Sequence, residues 1–153
     1  MPEFTVSRSI QITADPATVH PWLDDLRAWR RWSPWEDVDP ALRRSYTGPE
    51  RGPGARYSWV GNRKAGKGTM EVTASTPERV DLVVEFVKPW KARNPVVFDL
   101  REIGDAGTEV TWTMTGENKG TAAVFAKLFN MDRLLGKDFE KGLSRLKLAV
   151  EEG

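Results

Sequence analysis

The chain predicts an α+β architecture: a seven-stranded antiparallel sheet with one apolar face, two short helices after its first strand, and a long C-terminal helix as cover. Three observations predict it. Seven segments between residues 4 and 117 alternate apolar and polar side chains with a period of two, as half-buried strands do. The links among the last six are short and rich in Gly, Pro and Asn, which suits hairpins, because parallel neighbours need crossovers of roughly a dozen residues. Residues 121–150 then place apolar side chains at steps of three and four, the stripe of an amphipathic helix.

In order along the chain, Phe4, Val6, Ile10 and Ile12 alternate with Thr5, Ser7, Ser9 and Gln11, and Arg8 falls on the apolar parity. Asp15 then reads as an N-cap with Pro16 at the first helical position. Pro21 steers His20 away from helical dihedrals, so this helix should be brief. Asp24 or Asp25 can cap a second short helix running to about Arg31. Trp22, Trp29 and Trp32 belong to this pair, and the step of three puts Trp29 and Trp32 on one face toward the sheet. Pro34 ends the helix, which makes Trp32 a core residue and Trp35 a wall or lid of whatever space lies beyond.

The remaining strands are expected at Leu42–Thr47, Ala55–Val60, Lys67–Ser75, Arg79–Lys88, Pro95–Glu102 and Thr108–Glu117. Parity collects Tyr57, Trp59, Met70, Val72, Leu82, Phe86, Phe98, Trp112 and Met114 on one face, and Arg56, Glu71, Glu85, Arg101 and Glu109 on the other. The cover stripe runs through Phe125, Leu128, Leu135, Phe139, Leu143, Leu146 and Val150, with Asp132 interrupting it. An unbroken helix over the whole segment would be about 45 Å long, against about 33 Å for seven strands side by side. A bend near Asn130 to Asp132 is therefore expected, with Asp132 capping the second part. Gly136 and Gly142 lower helix propensity and point to close approach of helix and sheet.

The length of 153 residues fits one domain spanning 1–153, large enough to bury roughly 70% of its unfolded surface. The absence of cysteine excludes disulfides, thiolate catalysis and iron-sulfur clusters. With 23 Lys and Arg against 22 Asp and Glu, interspersed, nothing resembles the concentrated basic surface that nucleic-acid binding uses. No apolar run approaches the length that spans a bilayer, and the N-terminus lacks a signal-peptide pattern, so a cytoplasmic location is expected. No spacing matches a metal, phosphate-loop, nucleophile-elbow or dinucleotide motif, and no cofactor is expected.

Five segments, taken in order, carry a resemblance: "SRSIQITADPATV" at 7–19, "WSPW" at 32–35, "GPGARYSWVGN" at 52–62 with "GKGTME" at 66–71, "GTEVTWTMTG" at 107–116, and "MDRLLGKDFEKGLSRLK" at 131–147. Together they resemble the polyketide cyclase / dehydrase-like family of the SRPBCC (START-like) superfamily. That resemblance implies a helix-grip fold, in which a curved sheet grips the long helix around a cavity used by relatives for hydrophobic or amphipathic small molecules. Apart from the resemblance, Tyr57, Trp59, Met70, Phe86, Phe98, Trp112 and Met114 share one face beneath Phe125, Leu128 and Phe129, and such a set could line a pocket or simply fill a core.

Arg8 and Asp132 break apolar patterns and could be polar cavity residues satisfying one another; alternatively, Arg8 snorkels to water and Asp132 only caps. His20 is the one imidazole, with no Ser or carboxylate spacing that suggests a relay. The leading reading is a non-catalytic carrier or sensor of a lipid, isoprenoid or polyketide-like molecule. An aromatase/cyclase-type enzyme and a regulatory or toxin-like interaction module, whose Trp-rich loop would meet a protein partner, stand as alternatives.

Overall fold

In the computed structural model, which describes residues 3–35, 39–62, 65–88, 91–105, 107–117 and 131–152, all seven alternating segments are strands. They are β1 (Glu3–Ile12), β2 (Arg43–Thr47), β3 (Arg56–Val60), β4 (Lys67–Thr76), β5 (Arg79–Lys88), β6 (Ala92–Ile103) and β7 (Gly107–Glu117). One curved antiparallel sheet takes the order β1-β7-β6-β5-β4-β3-β2, so β2 through β7 are successive hairpins and β1 closes against β7. The outer face is polar, with Arg56 opposite Glu71, Glu85 opposite Arg93 and Arg101 opposite Glu109. Each is an ion pair of 2.9 to 3.2 Å, the cross-strand pairing that stabilises a solvated sheet face.

The registers line up inner-face side chains in rows. Val72, Leu82, Val96, Met114 and Val6 form one buried row, and Val80, Phe98, Trp112 and Arg8 form the next. A register shift between Val72 and Ala74 changes the phase of β4, so that Ser75 stands opposite inward-facing Val80 and faces inward itself.

β6 begins three residues earlier than its apolar pattern suggests and carries Pro95 within it. Pro95 can supply no N–H, and pairing with β7 starts only at Val96. The Asn94 side-chain amide donates instead to the Thr115 carbonyl at 3.1 Å, which lets the strand pass through the proline.

Asp15 caps α1 (Pro16–Val19) as expected, its Oδ1 accepting from the Thr18 N–H at 2.9 Å. The expectation for His20 is corrected: its φ of −50° and ψ of −47° are helical. His20 ends α1 and starts α2 (Pro21–Asp24), donating its N–H to Pro16 O and accepting from the N–H groups of Leu23 and Asp24, which offsets the disfavoured conformation before proline. The second helix to Arg31 is also corrected, into α2 and a separate 3-10 turn, Ala28–Arg31. Asp24 closes α2 instead of capping a helix, while Asp25 Oδ1 accepts from the Arg27 N–H. Indole N–H groups tie the two pieces: Trp29 Nε1 donates to Leu23 O at 2.9 Å and Trp32 Nε1 to Trp22 O at 3.0 Å.

The C-terminal helix α3 (Met131–Glu152) begins where the second part of the cover was expected. Asp132 is its second residue, inside the first turn instead of preceding it, and its side chain lies outside the described residues. The expected bend, with Phe125, Leu128 and Phe129, also lies outside them. Phe139, Leu143, Leu146 and Val150 form the buried stripe. α3 runs along β1: Glu140 pairs with Arg8, Lys147 Nζ donates to Gln11 O, and Glu151 accepts from the Thr13 N–H. The glycines set its distance, since a Cβ on Gly136 would fall on the Arg8 guanidinium and one on Gly142 would press on Pro34 Cδ at 2.8 Å and Trp112 Cζ3 at 3.1 Å.

Candidate functional site

The inner face divides into two regions. Near α3 it is closed by aromatic packing: Trp112 stacks on Phe139 and Phe98, and Trp29 and Trp32 meet both Phe98 and Trp112 edge-on at 5.5 to 6.0 Å. These five rings are buried, and Trp32 is a core residue as its spacing indicates. Toward β2, the edge remote from β1 and α3, the same face carries half-buried aromatics.

There Tyr46 stacks on Tyr57 with centroids 5.2 Å apart, Tyr57 on Trp59 at 5.8 Å, and Trp59 meets Phe86 edge-on at 5.8 Å. The register explains the chain of contacts. Tyr46, Tyr57, Met70, Val84 and Asn94 form one row across β2 to β6, and Trp59, Gly68 and Phe86 form the next. A Cβ on Gly68 would lie 2.6 Å from Trp59 Cη2, so the missing side chain lets the indole lie across β4. Trp59 Nε1 donates to Ala65 O at 2.9 Å, fixing the ring in that pose. The Arg27 guanidinium covers Tyr46 at 4.7 Å, a cation-π contact at the end of the ladder. Met70 and Val84 are its buried apolar floor, and Asn94 is a buried polar group beside them.

Trp35 stands at the junction of the two regions. Its ring meets Trp112 and Phe139 edge-on at 5.7 and 6.3 Å, and its Nε1 donates to Asp138 Oδ2 at 3.1 Å. Arg145 Nη1 donates to Ser33 O at 3.1 Å, and Pro34 fits against Gly142. The segment Ser33 to Trp35 is thus fastened to α3 from both sides.

The residues singled out from the sequence distribute over this surface. Tyr57, Trp59, Met70 and Phe86 lie in the half-buried ladder or its floor. Met114 lies in the adjacent buried row, whereas Phe98 and Trp112 belong to the closed aromatic core. Arg8 is 26% exposed, its Nε on Glu140 Oε2 at 2.9 Å and its Nη1 on Ser7 O at 2.8 Å. Sequence reasoning missed Tyr46, because a five-residue strand with one aromatic shows little periodicity, and Asn94, because Pro95 marked the strand start. It also missed the surroundings of His20, where folding assembles Asp24, Arg51 and Ser75 within hydrogen-bond or ion-pair range. The i,i+4 spacing of His20 and Asp24 was the one available signal.

No helix among the described residues is long and apolar enough to cross a membrane, and among them no group of His, Asp or Glu could hold a metal ion. A family model described as "Polyketide cyclase / dehydrase and lipid transport" matches residues 3–151. No curated protein matches the chain. Among solved structures, a hypothetical protein from Helicobacter pylori is similar with a TM-score of 0.71 at 11% identity, over 96% of this chain and 88% of that one. Ara h 8.0201 is similar with a TM-score of 0.67 at 14% identity, over 99% and 100% of the two chains. A protein from Thermobifida fusca gives 0.65 at 21% identity, over 97% and 93%. At these identities the likeness is one of fold, the helix-grip arrangement of sheet and terminal helix.

Proposed function

This chain belongs to the polyketide cyclase / dehydrase and lipid transport family, and from that membership we propose that it binds and carries a hydrophobic or amphipathic small molecule against the inner sheet face. The ligand class is lipid, isoprenoid or polyketide-like, and the molecule is held without being transformed. The observation that carries this reading is the ladder Tyr46, Tyr57, Trp59 and Phe86, which stays half-buried while the neighbouring aromatics are closed in a core. Pockets for such ligands are mostly apolar with a few placed polar groups, and here Asn94 and the tyrosine hydroxyls are those groups.

Acid/base chemistry needs a group that exchanges protons near the working pH and reaches the substrate. Among the described strands the inward positions carry Arg8, Arg44, Ser75, Asn94, Thr108 and two tyrosines among their polar groups, no imidazole, and a carboxylate only at Glu102, which is exposed near the end of β6. That supports a carrier over a cyclase.

Thermal-shift assays and native mass spectrometry with a long-chain fatty acid, an isoprenoid alcohol and a planar aromatic polyketide test the reading. A ligand at about 100 times its Kd stabilises by about 2.7 kcal/mol, well within detection. One class should stabilise the protein as a 1:1 complex, and Trp59→Ala should weaken that complex at least tenfold, or about 1.4 kcal/mol. Absence of binding by all three classes, or undiminished binding by Trp59→Ala, would overturn it; conversion of the bound molecule would move the protein to the enzymes.

A further inference from the structure

Beneath the loop joining β2 to β3, four side chains from three parts of the chain close a ring. Arg51 Nη2 lies 3.1 Å from His20 Nδ1, His20 Nε2 lies 2.9 Å from Ser75 Oγ, and Ser75 Oγ lies 3.3 Å from Asp24 Oδ2. Arg51 Nε returns to the Asp24 carboxylate, 3.1 Å from Oδ1 and 3.4 Å from Oδ2. The Asp24 side chain is 3% exposed and that of His20 13%, whereas that of Arg51 is 48% exposed.

The chemistry of the donors orients every bond. A guanidinium only donates, so His20 Nδ1 must accept. The imidazole is then neutral with its proton on Nε2, which donates to Ser75 Oγ. The ionised carboxylate only accepts, so the Ser75 hydroxyl donates to Asp24. The ring therefore fits one protonation state and one tautomer of His20. The bulge in β4 takes part in building it, because without the register shift after Val72 the Ser75 hydroxyl would face outward.

A proton on His20 Nδ1 would set a donor and a second positive charge against Arg51 at 3.1 Å. The anion nearest to that charge is Asp24, whose Oδ2 lies 3.6 Å from Nδ1. The groups facing His20 among the described residues are Asp24 of α2, Arg51 of the loop and Ser75 of β4; two of these are the competing cations' shared anion and the rival cation itself.

We propose that Asp24 exchanges cationic partners on acidification, giving up Arg51 for protonated His20 and thereby unclasping the β2–β3 loop. Asp24 keeps one positive partner in both states, so neither leaves a buried carboxylate unpaired, and the half-exposed Arg51 has water to move into. The loop is built to respond: Gly48, Gly52 and Gly54 hold φ values of +80°, +83° and +94°, and Gly52 donates its N–H to Asp24 O at 3.2 Å beside the clasp. Unclasping frees the hairpin whose strands carry Tyr46 and Tyr57.

NMR of the intact protein from pH 8 to 5 tests this, and with one histidine in the sequence the ring signals are unambiguous. The Arg51 Nε–H and Gly52 N–H resonances should move with the midpoint of the His20 ring protons, and the Gly52 amide should lose protection after correction for intrinsic exchange. In His20→Asn an amide oxygen can accept from Arg51 and takes up no proton, so the loop resonances should hold steady over the same range. In Arg51→Met the Gly52 amide should be unprotected throughout. Loop signals that stay fixed while His20 titrates would overturn the proposal. So would an undiminished acid response in His20→Asn, or a protected Gly52 amide in Arg51→Met, which decides alone should the first variant not fold.

Discussion

The indole of Trp112 lies almost parallel to the ring of Phe139, with centroids 4.0 Å apart and planes inclined by 5°. This contact joins the middle of β7 to α3, and both residues are buried. Phe139→Ala would leave a ring-sized void between rigid aromatics that cannot collapse into it. We expect a loss of about 3 to 5 kcal/mol in chemical denaturation, with a smaller loss for Phe139→Leu. A loss under 1 kcal/mol for the alanine variant would show that α3 is not anchored through this pair.

The two buried glycines of α3 should respond differently to alanine. At Gly142 the new methyl meets Pro34 and Trp112, which are themselves packed, so overpacking of about 1 to 3 kcal/mol should outweigh the gain in helix propensity of about 1 kcal/mol. At Gly136 the obstacle is the far end of Arg8, a flexible side chain that can swing away from Glu140 toward water. Gly136→Ala should therefore be close to neutral. Urea midpoints of the two variants measure the contrast, and equal losses would contradict it.

How much of this was legible beforehand depended on the range of the interaction. Alternation located every strand because one sheet face is solvated, and Asp15 with Pro16 marked α1 because a cap is a contact within three residues. Pro95 misled on the start of β6, since its remedy is a bond from Asn94 to a residue of β7, 21 positions away. The ladder was half legible: parity put Tyr57, Trp59 and Phe86 on one face, but only the register shows Tyr46 completing it and Gly68 making room for Trp59. The ring at His20 was hidden most fully, because it needs both a bulge in β4 and a loop contact 31 residues distant.

Glu151 supplies a pH-dependent tie between the end of α3 and the end of β1. Its carboxylate accepts from Lys147 Nζ at 2.6 Å and from the Thr13 N–H at 2.8 Å, and the Lys147 bond first, the Thr13 bond second, hold its pKa below the ordinary glutamate value. The folded state thus favours the ionised form. Its contribution is complete above the usual carboxylate range and is lost as the pH falls through the lowered folded value. Glu151→Gln should be less stable than the parent protein at pH 7, and the gap should close toward pH 3 and shrink in high salt. A gap independent of pH would assign the tie to packing instead of charge.

Gly68 offers the sharpest separation of the ladder from the core. A methyl there would press on the Glu85 carbonyl of β5 as well as on the Trp59 indole, whereas Trp59 itself contacts Tyr57 and Phe86 but none of the rings around Trp112. Gly68→Ala should lift the indole off β4 and break its bond to Ala65 O, exposing the ring and shifting its emission to the red. If the ladder is the ligand surface, binding should weaken at least tenfold, or about 1.4 kcal/mol, while resistance to urea falls by less than Phe139→Ala causes. The comparison matters because both variants disturb aromatic stacking on the same sheet face. Retained affinity in Gly68→Ala alongside lost affinity in a mild core variant would relocate the ligand to the α3 side.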